Sequence, residues 1–423
     1  MRDMQQGDDE ALKTLGRAIA RIEELLDRLP LDVARDMRAR ITTLRTVLID
    51  KRPPALVLVG RRGAGKSSLV NALFGAKVAE LGHVTAQTGR GRWYTYRRDG
   101  GAMAILDTRG VQEGSAPAEV DAAPTALESI AVELRVQAPD VVVFVAKASE
   151  VDAAIDADLD ALERVYEEIR RTHRLEPPLV AVVTHCDLLE PKALRLHESE
   201  RELPSDLEEK LRHVTLAEDA VTRKLDAREK LRPRHVATVG VSGYMSWRSD
   251  GGLRADERWK IDELAATLFR HLPDASRAEL ARATRVRAVQ EDLASTLQQA
   301  TAAVCAGIAA IPFVPVATLP LTTIQAGMVA GIAWIGGRNV DKRSAGEFIG
   351  SLTANVGAAV GLRLLGRALM NLVSPAGAAV VSAAVAFTGT MAIGGAAKAY
   401  YIRGVSLEDA KRVFRRTKPT KKE

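Results

Sequence analysis

The sequence predicts an α/β fold: a doubly wound sheet built around a phosphate-binding loop, preceded by a helical hairpin and followed by an all-α region. Three observations predict it. Between residues 53 and 273, short apolar runs ending in polar or glycine-rich motifs alternate with helical stretches, the pattern of strands joined by crossover helices. One such junction carries Gly60-Arg61-Arg62-Gly63-Ala64-Gly65-Lys66-Ser67. Outside this region the periodicity is helical only, and residues 293–337 and 368–397 contain no charged residue.

The N-terminal part, residues 1–52, reads as a helical hairpin. Leu12, Leu15, Ile19, Ile22, Leu26 and Leu29 recur at steps of three and four, one apolar face of a helix. Leu29-Pro30-Leu31 breaks the run, and Met37, Ile41, Leu44 and Leu48 resume it. Both faces are expected to pack on their own chain. Lys51-Arg-Pro-Pro54 serves as the linker.

Ala55-Leu-Val-Leu-Val59 then reads as a buried strand, and Ser68-Leu-Val-Asn-Ala-Leu-Phe74 as a helix. The loop between them has the G-x-x-x-x-G-K-[ST] spacing in its strand–loop–helix setting. Its glycines let backbone N–H groups of residues 60–68, Ser68 included, wrap a polyphosphate at a positive helix end. Lys66, read as a solvent-facing loop cation, would reach the outer phosphates and act in catalysis; Ser67 would hold Mg²⁺.

Three later junctions choose the nucleotide. Ala102-Met-Ala-Ile-Leu106 is a strand ending in Asp107-Thr-Arg-Gly110, a D-x-x-G motif 41 residues after Lys66. There Asp107 would bind Mg²⁺ through water and the Gly110 N–H would sense the γ-phosphate. After the strand Asp140-Val-Val-Val-Phe-Val145 comes Leu179-Val-Ala-Val-Val183, ending in Thr184-His185-Cys186-Asp187. The Asp187 carboxylate can accept both N1–H and the 2-amino group of guanine, which adenine does not offer. Val236–Val241 ends in Ser242-Gly243, which resembles the loop whose backbone N–H receives the guanine O6.

Taken together, residues 53–273 resemble the G domain of the Era-like GTPases, in the same broad class as Ras. The resemblance implies a doubly wound P-loop GTPase sheet, GTP/GDP and Mg²⁺ as ligands, and a switch threonine between the loop and Asp107. Ala86-Gln-Thr88-Gly-Arg90 resembles that segment, so Thr88 is favoured as Mg²⁺ ligand and catalytic switch residue; Thr85, with Ras-like spacing, competes with it. Three positions depart from the family pattern. Arg109 replaces a common proline, and His185 replaces the lysine that packs over the phosphate loop. Val111 stands where Ras-type enzymes carry the water-orienting glutamine, so hydrolysis is expected to be slow without help.

The charged stretch between Leu189 and Arg234 reads as an exposed helical insertion. After Pro273 the chain changes character. Residues 274–423 form an Ala/Gly-rich helical domain with a basic tail, and its uncharged runs exceed the roughly 20 residues that span a bilayer. Pro312, Pro315 and Pro320 break the first run, Lys342 and Arg343 mark a polar turn, and Arg338, Lys398 and Arg403 fit cytoplasmic ends. Pro312–Met328 and Ser374–Tyr401 resemble the helical domain that follows Era-like G domains in some bacterial proteins. The layout is also similar to interferon-inducible and dynamin-like GTPases.

The rest of the composition sets bounds. The 423 residues suit two or three domains, and a net charge of +6 is small for this length. Two cysteines, Cys186 and Cys305, give no disulfide framework, which suits a reducing cytoplasm. No apolar core marks a signal peptide at the N-terminus. The expectation is a cytoplasmic GTP-binding switch, at the inner face of the cell membrane or on a protein effector, reached through the helical domain. A self-assembling, homo-oligomeric membrane GTPase is the alternative. A ribosome-assembly factor ranks last, because residues 293–397 offer no basic nucleic-acid module.

Overall fold

A computed structural model of the protein describes residues 19–20, 23–24, 31–79, 92–98, 100–107, 126–151, 155–201, 204–310, 321–340, 342–353 and 375–416. They fall into two compact units, residues 53–273 and residues 1–52 together with 274–423.

The first unit is the expected α/β sheet. Its strands are β1 (Ala55–Val59), β2 (Arg92–Arg98), β3 (Gly101–Asp107), β4 (Val141–Lys147), β5 (Leu179–Thr184) and β6 (His235–Gly240). They lie in the order β2-β3-β1-β4-β5-β6, parallel except for β2, which runs antiparallel to β3. Every residue of β1 and β5 is buried. Continuous apolar strands of this kind belong in a parallel sheet covered on both faces. Phe144 of β4, Leu106 of β3 and Val183 of β5 share a core with Leu159, Leu162 and Ile169 of a crossover helix.

The helices here are α2 (Lys66–Phe74), α3 (Ala126–Val136), α4 (Ile155–His173), α5 (Pro204–Asp226) and α6 (Ile261–His271), numbered after α1 (Leu31–Leu48) of the other unit. Two features escaped the sequence reading. Strand β2 is rich in Tyr, Trp and Arg and lacks the apolar run of a central strand, as an edge position allows. A small hairpin, β7 (Met245–Trp247) and β8 (Leu253–Asp256), follows the Ser242-Gly243 loop.

Strand register sets up the site. Leu58 pairs with Asp107, Val59 with Phe144, Lys147 with Thr184, and Val183 with Gly240. The junctions singled out by sequence therefore open from the carboxyl ends of neighbouring strands, where open α/β sheets bind their ligands.

The second unit is helical. With α1 it contains α7 (Asp274–Thr284), α8 (Arg287–Ala310), α9 (Leu321–Ile335), α10 (Lys342–Thr353), α11 (Pro375–Tyr401) and α12 (Leu407–Arg416). The N-terminal segment, set apart by sequence as its own hairpin, clusters here with the C-terminal helices. Small residues let the helices approach closely. A Cβ at Gly331 of α9 would lie 2.5 Å from Leu48 of α1, and one at Gly394 of α11 would lie 2.5 Å from Gln298 of α8. Polar side chains cross the bundle: Gln290 Nε2 donates to the Ile335 carbonyl at 2.8 Å, Gln298 Nε2 to Met391 O at 2.5 Å, and Lys398 Nζ to Ser295 Oγ at 2.9 Å. Buried Arg282 donates to Trp334 O at 2.8 Å and Asn339 Oδ1 at 2.6 Å.

Lys342 and Arg343 correct one expectation. They open α10 instead of forming a turn, and Arg343 Nε donates to Glu347 Oε1 at 3.0 Å one helical turn on. The proline segment, with Pro312, Pro315 and Pro320, lies outside the described residues.

Candidate nucleotide site

The site begins where β1 ends. A Cβ on Gly60 would sit 2.2 Å from the Val145 carbonyl oxygen of β4, so only glycine lets the chain turn this close to its neighbour. Gly65, at φ 88, caps the start of α2 in the left-handed region and frees the first-turn N–H groups to point outward. Gly63 and Arg62 are exposed, Ala64 is buried, and Ser67 and Ser68 are half-buried in the first turn of α2.

Lys66 is not solvent-facing. It is 7% exposed, and its ammonium folds back over the loop, donating to Gly60 O at 2.6 Å and Arg61 O at 2.9 Å. A cation surrounded by loop carbonyls meets its donors there, and phosphate oxygens would compete for them. Arg61 anchors the loop from the side. Its Nε and Nη2 both lie 2.8 Å from Asp158 Oδ2 on α4, and its Nη1 lies 3.6 Å from Glu150. Burial pushes the Asp158 carboxyl above its ordinary value, and the Arg61 guanidinium opposes that push.

The Thr184–Asp187 loop is tied to the phosphate loop. Thr184 Oγ1, buried at the end of β5, donates to Ala64 O at 2.7 Å and lies 3.0 Å from His185 Nδ1. His185 adopts φ 58, and its ring lies against Gly65, with Cε1 3.0 Å from where a Cβ would stand. The imidazole therefore covers the phosphate loop, as the lysine it replaces is expected to. Burial lowers its pKa below the usual value, with Asp187 pulling the other way. Cys186 N–H donates to Val241 O at 3.3 Å, joining this loop to the next. Its thiol is buried and pushed up to about 12, so it is inert.

Ser242 and Gly243 complete the arrangement. Ser242 is bridged to Trp259 by backbone bonds of 3.2 and 3.0 Å. Its Oγ is fully buried and has no hydrogen-bond partner among the described residues, the kind of orphan a bound ligand or a ligand-ordered neighbour satisfies. A Cβ at Gly243 would lie 3.5 Å from the Ser68 carbonyl of α2.

The structure thus gathers Gly60 to Ser68, Thr184 to Asp187, and Ser242-Gly243. The backbone of Asp107 ends β3 beside Leu58. The Asp107 side chain and the residues Thr85, Thr88, Arg109, Gly110, Val111 and Gln112 lie outside the described residues. Sequence reasoning missed Lys210, Asp158 and Glu218. Lys210 had a signal: it occupies the same stripe of α5 as Val214, Ala217, Val221 and Leu225, all buried. The insertion read as exposed is a half-buried helix.

Residues 55–185 match the family model described as 50S ribosome-binding GTPase. This stretch is a P-loop GTPase domain. Among curated proteins, the small ribosomal subunit biogenesis GTPase RsgA 1 of Bacteroides thetaiotaomicron is 37% identical over 109 residues, 25% of this chain and 28% of its own. RsgA of Xanthomonas oryzae pv. oryzae is 36% identical over 159 residues, 35% of this chain and 42% of its own. The chain thus spans less than half the length of these relatives. Among solved structures, Toc33 of Arabidopsis thaliana with GDP and Mg²⁺ is 19% identical, covering 60% of this chain and 94% of its own at a TM-score of 0.34. Era bound to MgGDPNP and 16S ribosomal RNA is 18% identical, covering 60% and 68% at 0.31. The GTPase domain's sheet order and phosphate loop stand on their own geometry.

Proposed function

We propose that the chain is a guanine-nucleotide switch that hydrolyses GTP slowly by itself and acts through its helical unit on a protein or membrane partner. One observation carries this reading: the buried bond from Thr184 Oγ1 to Ala64 O, 2.7 Å long. It fastens the proposed base-recognition loop beside the phosphate loop, so that one ligand can bridge the two. A nucleotide does.

The residues fit that ligand. N–H groups at the start of α2 and the Lys66 ammonium would take the phosphates. The Asp187 carboxylate would accept N1–H and the 2-amino group of guanine, the Gly243 N–H would face O6, and the orphaned Ser242 Oγ lies in the same loop. For Mg²⁺, Ser67 and Asp107 offer a hydroxyl and a carboxylate, with Thr88 as a third oxygen from the switch segment. Mg²⁺ favours such hard oxygen donors and takes few of them from protein. Among the described residues no group of three or more His, Cys, Asp or Glu side chains could hold a metal. When bound, Mg²⁺ would offset charge on the phosphoryl oxygens. No residue at Val111 can hydrogen-bond an attacking water, so turnover should sit near the unassisted rate of Ras-type enzymes, on the order of 10⁻⁴ s⁻¹.

Equilibrium binding and single-turnover assays test this. GTP and GDP should bind and ATP should not, with slow phosphate release from dilute protein. Equal affinity for ATP and GTP, or turnover of several per second, would sink the reading. A ribosomal partner is the second reading, favoured by the family model's description and the RsgA relatives. It requires nucleotide-dependent cosedimentation with ribosomal subunits.

A further inference from the structure

Helix α5 holds both loops of the base-recognition site. Lys210 is fully buried on it. Its Nζ donates to the carbonyls of Asp187 at 2.7 Å, Pro191 at 3.0 Å and Leu194 at 2.9 Å. Three residues further along, His213 Nδ1 lies 2.8 Å from the Glu190 carbonyl. Two turns beyond Lys210, Glu218 Oε1 accepts the Gly240 N–H at 2.6 Å, two residues before Ser242.

An ammonium removed from water is costly unless its donors are met. An apolar side chain would fill the same stripe beside Val214 and Ala217 without that cost. What the cation adds is a fixed path for the chain from Asp187 to Leu194, which wraps around it. The first of those carbonyls belongs to the residue whose carboxylate reads the base.

We infer that Lys210 is a positioning residue for guanine recognition: by holding the Asp187 backbone it sets where the Asp187 carboxylate meets the base edge. This role rests on the guanine reading proposed above. Glu218 acts on the other loop, through Gly240, and so on the backbone that faces O6.

The test compares GDP with IDP, which lacks the 2-amino group, on full-length protein. Wild type should prefer GDP over IDP by about tenfold or more, the loss expected when a charged acceptor has no donor. Lys210→Met should weaken GDP binding by about tenfold and bring the GDP/IDP ratio toward one. Glu218→Ala should weaken GDP and IDP alike and keep the ratio. Should Lys210→Met fail to fold, Lys210→Gln, which retains an amide donor, carries the same comparison. A folded Lys210 variant with the wild-type ratio overturns the role, as does an equal fall of the ratio in Glu218→Ala, which would mean general loosening. Wild-type protein that binds GDP no better than ADP overturns the guanine reading itself, and this role with it.

Discussion

Asp187 and His185 divide the work of one short loop. On the guanine reading proposed above, Asp187 would choose the base through a carboxylate that accepts two donors. Asp187→Asn replaces one acceptor with a donor, so affinity for GDP should fall by about 1.5–3 kcal/mol while xanthine nucleotides gain. Competition binding with XDP reads this directly; unchanged GDP preference would remove Asp187 from the site. His185 sits against Gly65 and is half-buried, so the folded state favours the neutral ring and lowers its pKa. A depressed histidine pKa means that the unfolded chain takes up the proton first as pH falls. The contribution to stability is therefore present above the ordinary histidine value near 6.5 and is lost as pH falls through the folded value. Lys147, Glu150 and Asp187 also act on this ring. His185→Asn, which tolerates the left-handed backbone, should flatten the loss of stability between pH 7.5 and 5.5. Parallel pH profiles for variant and wild type would show that the ring carries no such linkage.

At the scale of elements, the phosphate loop depends on the contact between β1 and β4. The atom nearest a Cβ at Gly60 is the backbone oxygen of Val145, 2.2 Å away, and the sheet holds it in place. Gly60→Ala should cost about 1–3 kcal/mol and abolish nucleotide binding, seen as a lower midpoint in urea and flat titrations with GDP. Normal binding by this variant would mean that the strands can separate to admit a methyl group. Helix α5 teaches a related lesson. Its charge pattern suggests a solvated face, yet the 210, 214, 217, 221, 225 stripe is buried, and the lysine in that stripe is a structural cation. A charged residue in phase with apolar neighbours signals a buried partner set that periodicity alone does not name.

For the whole molecule, the question is what the uncharged helices do. Helix α8 and residues 380–401 of α11 are long and apolar enough to cross a bilayer, with mean hydropathies of 1.2 and 1.6. The contacts of α8 and of the second half of α11 point to another use, while Val380, Val381, Val385 and Phe387 in the first half of α11 are exposed. Gln298 bonds Met391 O, Gln325 Nε2 donates to Thr390 Oγ1 at 2.9 Å, and Arg403 pairs with Glu291 at 2.9 Å. Such bonds suit helices packed on one another, with Ala and Gly serving close approach. The expected outcome is a full-length protein that is monodisperse without detergent and whose binding to liposomes, if measured, is released by alkaline wash. Resistance to that wash would show that residues 293–397 insert.

The sequence by itself determined the five parallel strands of the sheet, the phosphate loop and the order of the site motifs. Each depends on local patterns: apolar runs of strand length, glycines where a side chain would clash, and a carboxylate or hydroxyl at the end of a strand. Tertiary structure alone decided which distant groups hold those motifs in place. Arg61 meets Asp158, Thr184 meets Ala64, and Lys210 meets Asp187 only after the strands are in register and the crossover helices have packed. The same holds for α1, whose buried face packs on α8, more than two hundred residues later in the chain. Periodicity tells a helix which face to bury, and only the packed chain supplies the surface that buries it.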